Sequence, residues 1–149
     1  MFAYFDETGV SGGAEHVTAV AGYLFSTDGA QRFREIFAES VLPLLPADKH
    51  GKRIFHAAQC IGGYKPFDRL RRPERERIAS LMVDAITQSA KLGVVTGAEP
   101  RGYTEALARS PGLSDLAGTK YSVCLITCIE NIGRWLDQEQ TLGKVTYVF

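Results

Sequence analysis

The pattern of hydrophobic and polar residues predicts a sheet whose first strand lies near the N-terminus. Residues 2–5 are all apolar or aromatic, so both faces of this strand are hydrophobic, and we expect it inside a sheet. Residues 17–25 predict a second strand, and the glycine-rich segment 11–16 predicts the loop of a hairpin between the two. Three later apolar runs predict a short strand, a buried strand and a final strand, at 53–57, 92–98 and 144–149.

Apolar residues at helical spacing predict helices between and after these strands. The patterns are those of a helix stopped by Pro43, a helix over 73–91, a weaker helix over 101–110, and a long helix with an apolar face from Tyr121 to Leu136. Two strands therefore come first and later strands alternate with helices. This order predicts an α/β fold with antiparallel pairing early and right-handed crossovers later.

The composition is that of one globular domain. With 149 residues, 45% of them hydrophobic, the chain can bury a core, and we interpret residues 1–149 as a single α/β domain. Seventeen basic and seventeen acidic side chains cancel, which argues against a strong overall positive field and still allows a local basic patch. The last strand pattern runs to Phe149 without a polar end, so we expect an incomplete N-terminal portion of a longer domain.

The cysteines and the hydropathy pattern bear on the cellular compartment. The three cysteines lack the paired spacing of a zinc site or a disulfide framework, which fits a reducing environment. The sequence has no charged leader followed by an apolar signal core, and no apolar run approaches the roughly 20 residues of a membrane span. We therefore expect a cytoplasmic protein without a membrane partner.

The acidic pair Asp6 and Glu7 directly follows the first apolar run. Carboxylate oxygens are the ligands that Mg²⁺ and Mn²⁺ prefer, so the pair is a candidate catalytic and metal-binding site. Adjacent strand residues point to opposite faces, so only one can enter a given cleft, and we favour Asp6 with Glu7 second. The alternative is an ordinary turn, in which the side chain of Asp6 caps the DETG segment.

His56 and three further acidic residues are weaker candidates. His56 is flanked by apolar residues and ionisable near neutral pH, so it is a candidate catalytic residue that orients water or contacts a phosphate. The alternative is a partly buried histidine bonded to the backbone. Glu99 follows the 92–98 strand, where an α/β sheet can use a carboxylate, or it is a simple loop acid. Asp84 and Glu130 are predicted on solvated helix faces.

Positive charge is concentrated between Asp48 and Arg77, where nine lysines and arginines stand against four acidic residues. Such a segment can contact nucleic-acid phosphates, and we name Arg69, Arg71 and Arg72 as candidate nucleic-acid-binding residues. The interleaved aromatic residues Tyr64 and Phe67 can add base stacking. The alternative is an ordinary solvated surface.

Several segments together resemble one protein family: YFDETG, FHAAQC, GYKPF, and KYSVCLITCIENIGRWL before KVTYVF. They are similar to the bacterial and phage-associated domain of unknown function 3800 family. The resemblance implies a ribonuclease H-like mixed sheet, with antiparallel early strands and parallel later strands, flanked by helices. It also implies an acid in the first strand and further acids beyond a later strand. The family pattern has an acid where this chain has Gln59, and it continues into an acid where this sequence stops at Phe149.

These residues and the resemblance lead to two functional hypotheses. The first is a nuclease that uses Mg²⁺ or Mn²⁺ to hydrolyse nucleic-acid phosphodiesters. In it Asp6 is a metal ligand, Glu7 or His56 is an auxiliary group, and the basic segment guides phosphates. The second is a non-catalytic ribonuclease H-like module, associated with phage or defence functions, that uses the basic segment only for binding.

Overall fold

The computed structural model describes residues 1–8, 16–110, 112, 118–141 and 143–149. The chain forms two compact units, and each is described by itself. We call them the sheet unit, residues 1–26 and 91–149, and the helical unit, residues 27–90. The loop predicted at 11–16 lies, apart from His16, outside the described residues.

The sheet unit contains a four-stranded mixed sheet in the order β3-β2-β1-β4. The strands are β1, Phe2–Thr8; β2, Thr18–Phe25; β3, Leu92–Ala98; and β4, Thr146–Val148. The β1–β2 and β2–β3 pairs are antiparallel, and β1 and β4 are parallel. The predicted α/β class is confirmed, as is the internal position of the first strand between the second strand and a later parallel one.

Two helices belong to the sheet unit: α4, Pro100–Arg109, and α5, Lys120–Gln138. One face of α5 is buried in the core, through Cys124, Cys128 and Ile132. Cys124 and Cys128 pack with Val20, and Ile132 packs with Leu24. The 3.6-residue spacing that predicts the long helix thus also identifies the face that covers the sheet.

The helical unit is built from short helical segments around a separate core. They are α1, Thr27–Ile36, extended by a π-helical turn, Phe37–Val41, and a 3₁₀ turn, Leu42–Leu44; α2, Ala57–Gly62; a 3₁₀ turn, Phe67–Arg69; and α3, Arg72–Thr87. The buried core consists of Val41, Leu45, Cys60, Phe67 and Ile78. The helices predicted before Pro43 and after Pro73 are confirmed.

Three sequence predictions about strands are wrong. β1 continues beyond Phe5 because its pairing with β2 extends to Thr8 and Ala19. Residues 53–56 form no strand and lead directly into α2, since no described strand pairs with them. β3 is not buried on both faces, and Val95 is 72% exposed, because β3 is an edge strand and packs on α5 through one face.

The pairing of the later strands agrees only in part with the prediction. Among the described strands, parallel pairing occurs between β1 and β4, whereas β3 pairs antiparallel with β2.

In the described part of the chain, every helix is too short or too polar to cross a bilayer.

Candidate functional site

Asp6 and Glu7 lie within β1, where Asp6 is paired with Ala21 and Glu7 with Val20. Both acidic residues are exposed. The Asp6 Oδ1 atom accepts a hydrogen bond from the backbone N–H of Glu7 at 3.0 Å. The alternative of a DETG turn does not fit the described part of that segment, because the antiparallel ladder holds the backbone extended to Thr8; Gly9 lies outside the described residues.

The two carboxylates point to opposite faces of the sheet. Phe5 packs into the core beneath α5, so Glu7 shares that face, and Asp6 shares the other face with Tyr4. Tyr4 is paired with Val148 of the parallel strand β4, and Asp6 lies two residues further along β1. Asp6 therefore lies towards the carboxyl ends of two parallel strands, the edge at which α/β sheets commonly bind ligands.

Among the described residues, no complete set of metal ligands surrounds Asp6. In this part of the chain, no three side chains of histidine, cysteine, aspartate or glutamate converge as a metal site. Mg²⁺ usually keeps several waters and is bound through one or two carboxylates together with substrate phosphates. Among the described residues, Asp6 is therefore at most one part of such a ligand set.

A groove in the helical unit brings together several sequence candidates. It has a volume of about 810 Å³ and is lined by four cations, Lys49, Lys52, Lys65 and Arg69, by two acids, Asp48 and Asp68, and by His56 and Gln59. All four cationic side chains are exposed. We call this the basic groove. The ion pairs found among the described residues involve other arginines, and four cations against two acids leave the groove with an excess of two positive charges.

Asp48 fixes the loop that carries two of these lysines. Its Oδ1 atom accepts hydrogen bonds from the backbone N–H groups of His50, at 2.8 Å, and Lys52, at 2.9 Å. The bond from Lys52 is the main cause that lowers the pKa of Asp48 below its ordinary value. Gly51 completes the loop with a φ of +78°, which glycine adopts without strain. The Asp48 carboxylate thus stabilises the loop that contains Lys49 and Lys52.

His56 lines the groove and lies at the N-terminal end of α2. It occupies the N-cap position in an extended conformation, with φ −122° and ψ 111°, and its side chain makes no cap hydrogen bond. His56 is exposed, so the alternative of a partly buried histidine is wrong. One helical turn later, Gln59 also lines the groove.

The three candidate arginines are not equivalent. Arg69 lines the basic groove with His56, whereas Arg71 and Arg72 do not line it. Arg71 pairs with Glu74 at 3.2 Å, and Arg72 pairs with Glu76 at 2.7 Å. The hydrogen bond to Glu76 raises the pKa of Arg72, and bonds from Arg71 lower the pKa of Glu74. These two arginines lie at the exposed start of α3 with their charge locally balanced.

The aromatic candidates also differ. Tyr64 is 68% exposed and precedes the groove residue Lys65, so its ring is accessible. Phe67 is fully buried in the core of the helical unit, so the prediction that it stacks on bases is wrong. Its place in a 3₁₀ turn directs the ring into the core while Arg69, two residues later, lines the groove.

The remaining acidic candidates have structural or solvated positions. Glu99 caps α4, and its Oε2 atom accepts the backbone N–H of Gly102 at 2.8 Å. This hydrogen bond lowers the pKa of Glu99. Asp84 and Glu130 are exposed, as the helical spacing predicts. Glu99 is therefore a helix-capping acid, in agreement with the loop alternative.

Comparison of the chain with models of protein families, with curated proteins and with solved structures gives no match. The similarity to the domain of unknown function 3800 family stays an expectation from the sequence. The chemistry of Asp6 and of the basic groove is therefore the basis for inferring a function.

The sequence identifies His56 and Arg69 as site residues but not the six other polar residues of the groove. These are Asp48, Lys49, Lys52, Gln59, Lys65 and Asp68. The local charge excess was the available signal. The charge excess alone does not show which of the cations line the same groove. The loop and the two turns that bring them together have no periodic sequence pattern.

Proposed function

We propose that this protein binds nucleic-acid phosphodiesters through the basic groove and hydrolyses them with Mg²⁺ or Mn²⁺. The observation that carries the proposal is the gathering of four exposed cations and His56, against two acids, around one groove in a chain of zero net charge. Phosphates are the ligands for which such a local concentration of lysine and arginine is suited.

Within this proposal the groove supplies binding and Asp6 supplies the metal ligand. Asp6 has an exposed carboxylate on an internal strand, towards the carboxyl ends of β1 and β4. The family resemblance implies a further acid beyond a later strand, and that acid would be the second carboxylate. Glu7 projects from the opposite face, which favours an auxiliary role for it, and His56 is proposed to contact a phosphate.

The sheet supports the proposed ribonuclease H-like fold at the level of strand pairing. The early β1–β2 pair is antiparallel and the later strand β4 is parallel to β1, with α5 packed on one face. This agrees with the early antiparallel and later parallel strands that the family resemblance implies, except that β3 pairs antiparallel with β2.

The test is a nuclease assay on the full-length encoded protein with titration of Mg²⁺ and Mn²⁺. We expect Asp6→Asn to abolish metal-dependent cleavage and to retain nucleic-acid binding in a metal chelator, because only the metal ligand changes. Asp84→Asn is the matched control, since Asp84 is an exposed helix residue in the other unit. Full cleavage activity of Asp6→Asn would remove Asp6 from the proposed site.

A non-catalytic nucleic-acid-binding module is the second candidate. It is supported by the basic groove alone, because cations can contact phosphates without a metal ligand. The same titration discriminates the two, because a binding module retains nucleic acid intact at every metal concentration. Asp6→Asn would then leave all measured properties unchanged.

A further inference from the structure

We infer that the basic groove selects single-stranded over double-stranded nucleic acid. This inference rests on the proposed function for the binding of nucleic acid itself, and it adds the class of strand. Three features of the helical unit carry it: the mixed lining of the groove, its size, and the fixed, exposed ring of Tyr64.

The lining of the groove is apolar as well as cationic. Pro46, Ile54, Pro66 and Leu70 lie among the lysines, and Ile54 is 46% exposed. A double helix presents phosphates on the outside and stacks its bases inside, so it makes little use of apolar walls. An unpaired strand exposes base faces and edges that can bury this apolar surface while its phosphates contact the cations.

The groove has the dimensions of a ligand pocket. Its volume of about 810 Å³ lies within the roughly 300–1,000 Å³ of sites that surround small ligands. A groove of this size can enclose a few nucleotides of a flexible strand.

Tyr64 does not itself line the groove, but it directly precedes the groove residue Lys65 and supplies a fixed aromatic surface. A Cβ atom on Gly62 would lie 2.5 Å from the Tyr64 ring, so the ring rests directly on the glycine backbone. The backbone of Tyr64 is also held, because its N–H donates to the carbonyl of Gln59 at 3.0 Å. An aromatic ring that is fixed on one side and 68% exposed can stack on an unpaired base.

Binding is measured by fluorescence anisotropy in a metal chelator, so that cleavage does not contribute. The probes are a labelled oligothymidylate, the corresponding oligouridylate, and a labelled DNA duplex of the same length. We expect the single strands to bind at least about tenfold more tightly than the duplex, because base stacking adds to phosphate contacts.

Two variants separate the charge contribution from the stacking contribution. Combined Lys49→Gln, Lys52→Gln and Arg69→Gln should weaken single-strand binding about 10- to 100-fold and reduce the slope of log affinity against log salt by about 2, since three phosphate contacts are lost. Tyr64→Leu should weaken single-strand binding and leave the salt slope unchanged, because stacking releases no counterions.

The matched control changes the same charges in the sheet unit. It combines Lys91→Gln, Arg101→Gln and Lys144→Gln, all at exposed positions. This control should keep its affinity and salt slope close to those of the unchanged protein. Circular dichroism and thermal unfolding verify that each variant is folded.

Three outcomes would overturn the inference. Equal affinity for duplex and single strands refutes strand selection and leaves the proposed function standing. Equal loss of binding in the groove variant and the control variant removes the groove as the site. Binding of inorganic polyphosphate as tightly as oligothymidylate shows attraction to polyanions alone, without recognition of bases.

Discussion

The backbone of Gly63 lies directly against the guanidinium group of Arg75. A Cβ atom on Gly63 would be 2.5 Å from Nη1 of Arg75. The same Nη1 atom donates to the carbonyl oxygens of Cys60, at 3.1 Å, and Ile61, at 2.7 Å. Arg75 thus places a cation at the carboxyl end of α2, where free carbonyl groups favour it. The contact joins α2, which carries the groove residue Gln59, to α3.

Gly63→Ala should destabilise the protein more than Gly51→Ala. Both glycines have positive φ, +70° and +78°, so alanine should cost roughly 1–2 kcal/mol of backbone strain at either position. At Gly63 the added methyl group also collides with Arg75, whereas nothing lies within 4 Å of it at Gly51. Urea unfolding of the two variants measures the difference, and equal losses would contradict the close contact.

Arg75→Met should lower the free energy of unfolding by about 2 kcal/mol. The variant keeps most of the aliphatic packing and removes charged hydrogen bonds to two carbonyl groups. Arg77→Met is the control, because Arg77 is an exposed residue of the same helix. We expect the control to stay within about 0.5 kcal/mol of the unchanged protein, as surface substitutions usually do. A small effect at Arg75 would mean that water replaces its bonds to α2.

The buried thiols should make stability fall at alkaline pH. Burial raises the pKa of Cys60 and of Cys124 above the ordinary value of 9.0. Their contribution is therefore fully present below pH 9, where both states are protonated. It is lost as the pH rises towards the folded-state pKa, because the unfolded chain then releases protons that the folded chain retains.

The alkaline loss is measured as the pH dependence of the free energy of unfolding, with urea, in the presence of reductant. Cys124→Ala should show a shallower decline above pH 9 than the unchanged protein, although its stability at neutral pH is lower because a buried side chain is shortened. The comparison cancels the titration of lysines and tyrosines that both proteins share. Parallel pH profiles would contradict a raised thiol pKa.

The sequence predicts those parts of the fold in which periodic burial determines structure. The 3.6-residue spacing of Cys124, Cys128 and Ile132 identifies α5 and its buried face, and the two apolar faces of residues 2–5 identify an internal strand. The length of β1 could not be predicted, because backbone pairing with β2 overrides the turn preference of the DETG segment.

The basic groove was predictable only as a local excess of charge. Its assembly depends on a loop held by Asp48 and on the capping position of His56, and neither produces a repeating pattern in the sequence. For the same reason Phe67 and Tyr64 look alike in the sequence. Packing against Ile78 and its neighbours places Phe67 in the core, and Tyr64 remains on the surface.

The charge reversals Arg71→Glu and Arg72→Glu, combined in the full-length protein, test the start of α3 as a phosphate guide. If both arginines contact phosphates, nucleic-acid binding should weaken and the salt slope should fall by about 1.4, the value for two contacts with a single strand. Arg109→Glu with Arg134→Glu is the matched control. These two exposed arginines belong to the sheet unit, and each forms an ion pair with a glutamate of its own helix, four residues earlier. An affinity and slope equal to those of the control would identify Arg71 and Arg72 as residues of a solvated helix end, whose only role is to pair with Glu74 and Glu76.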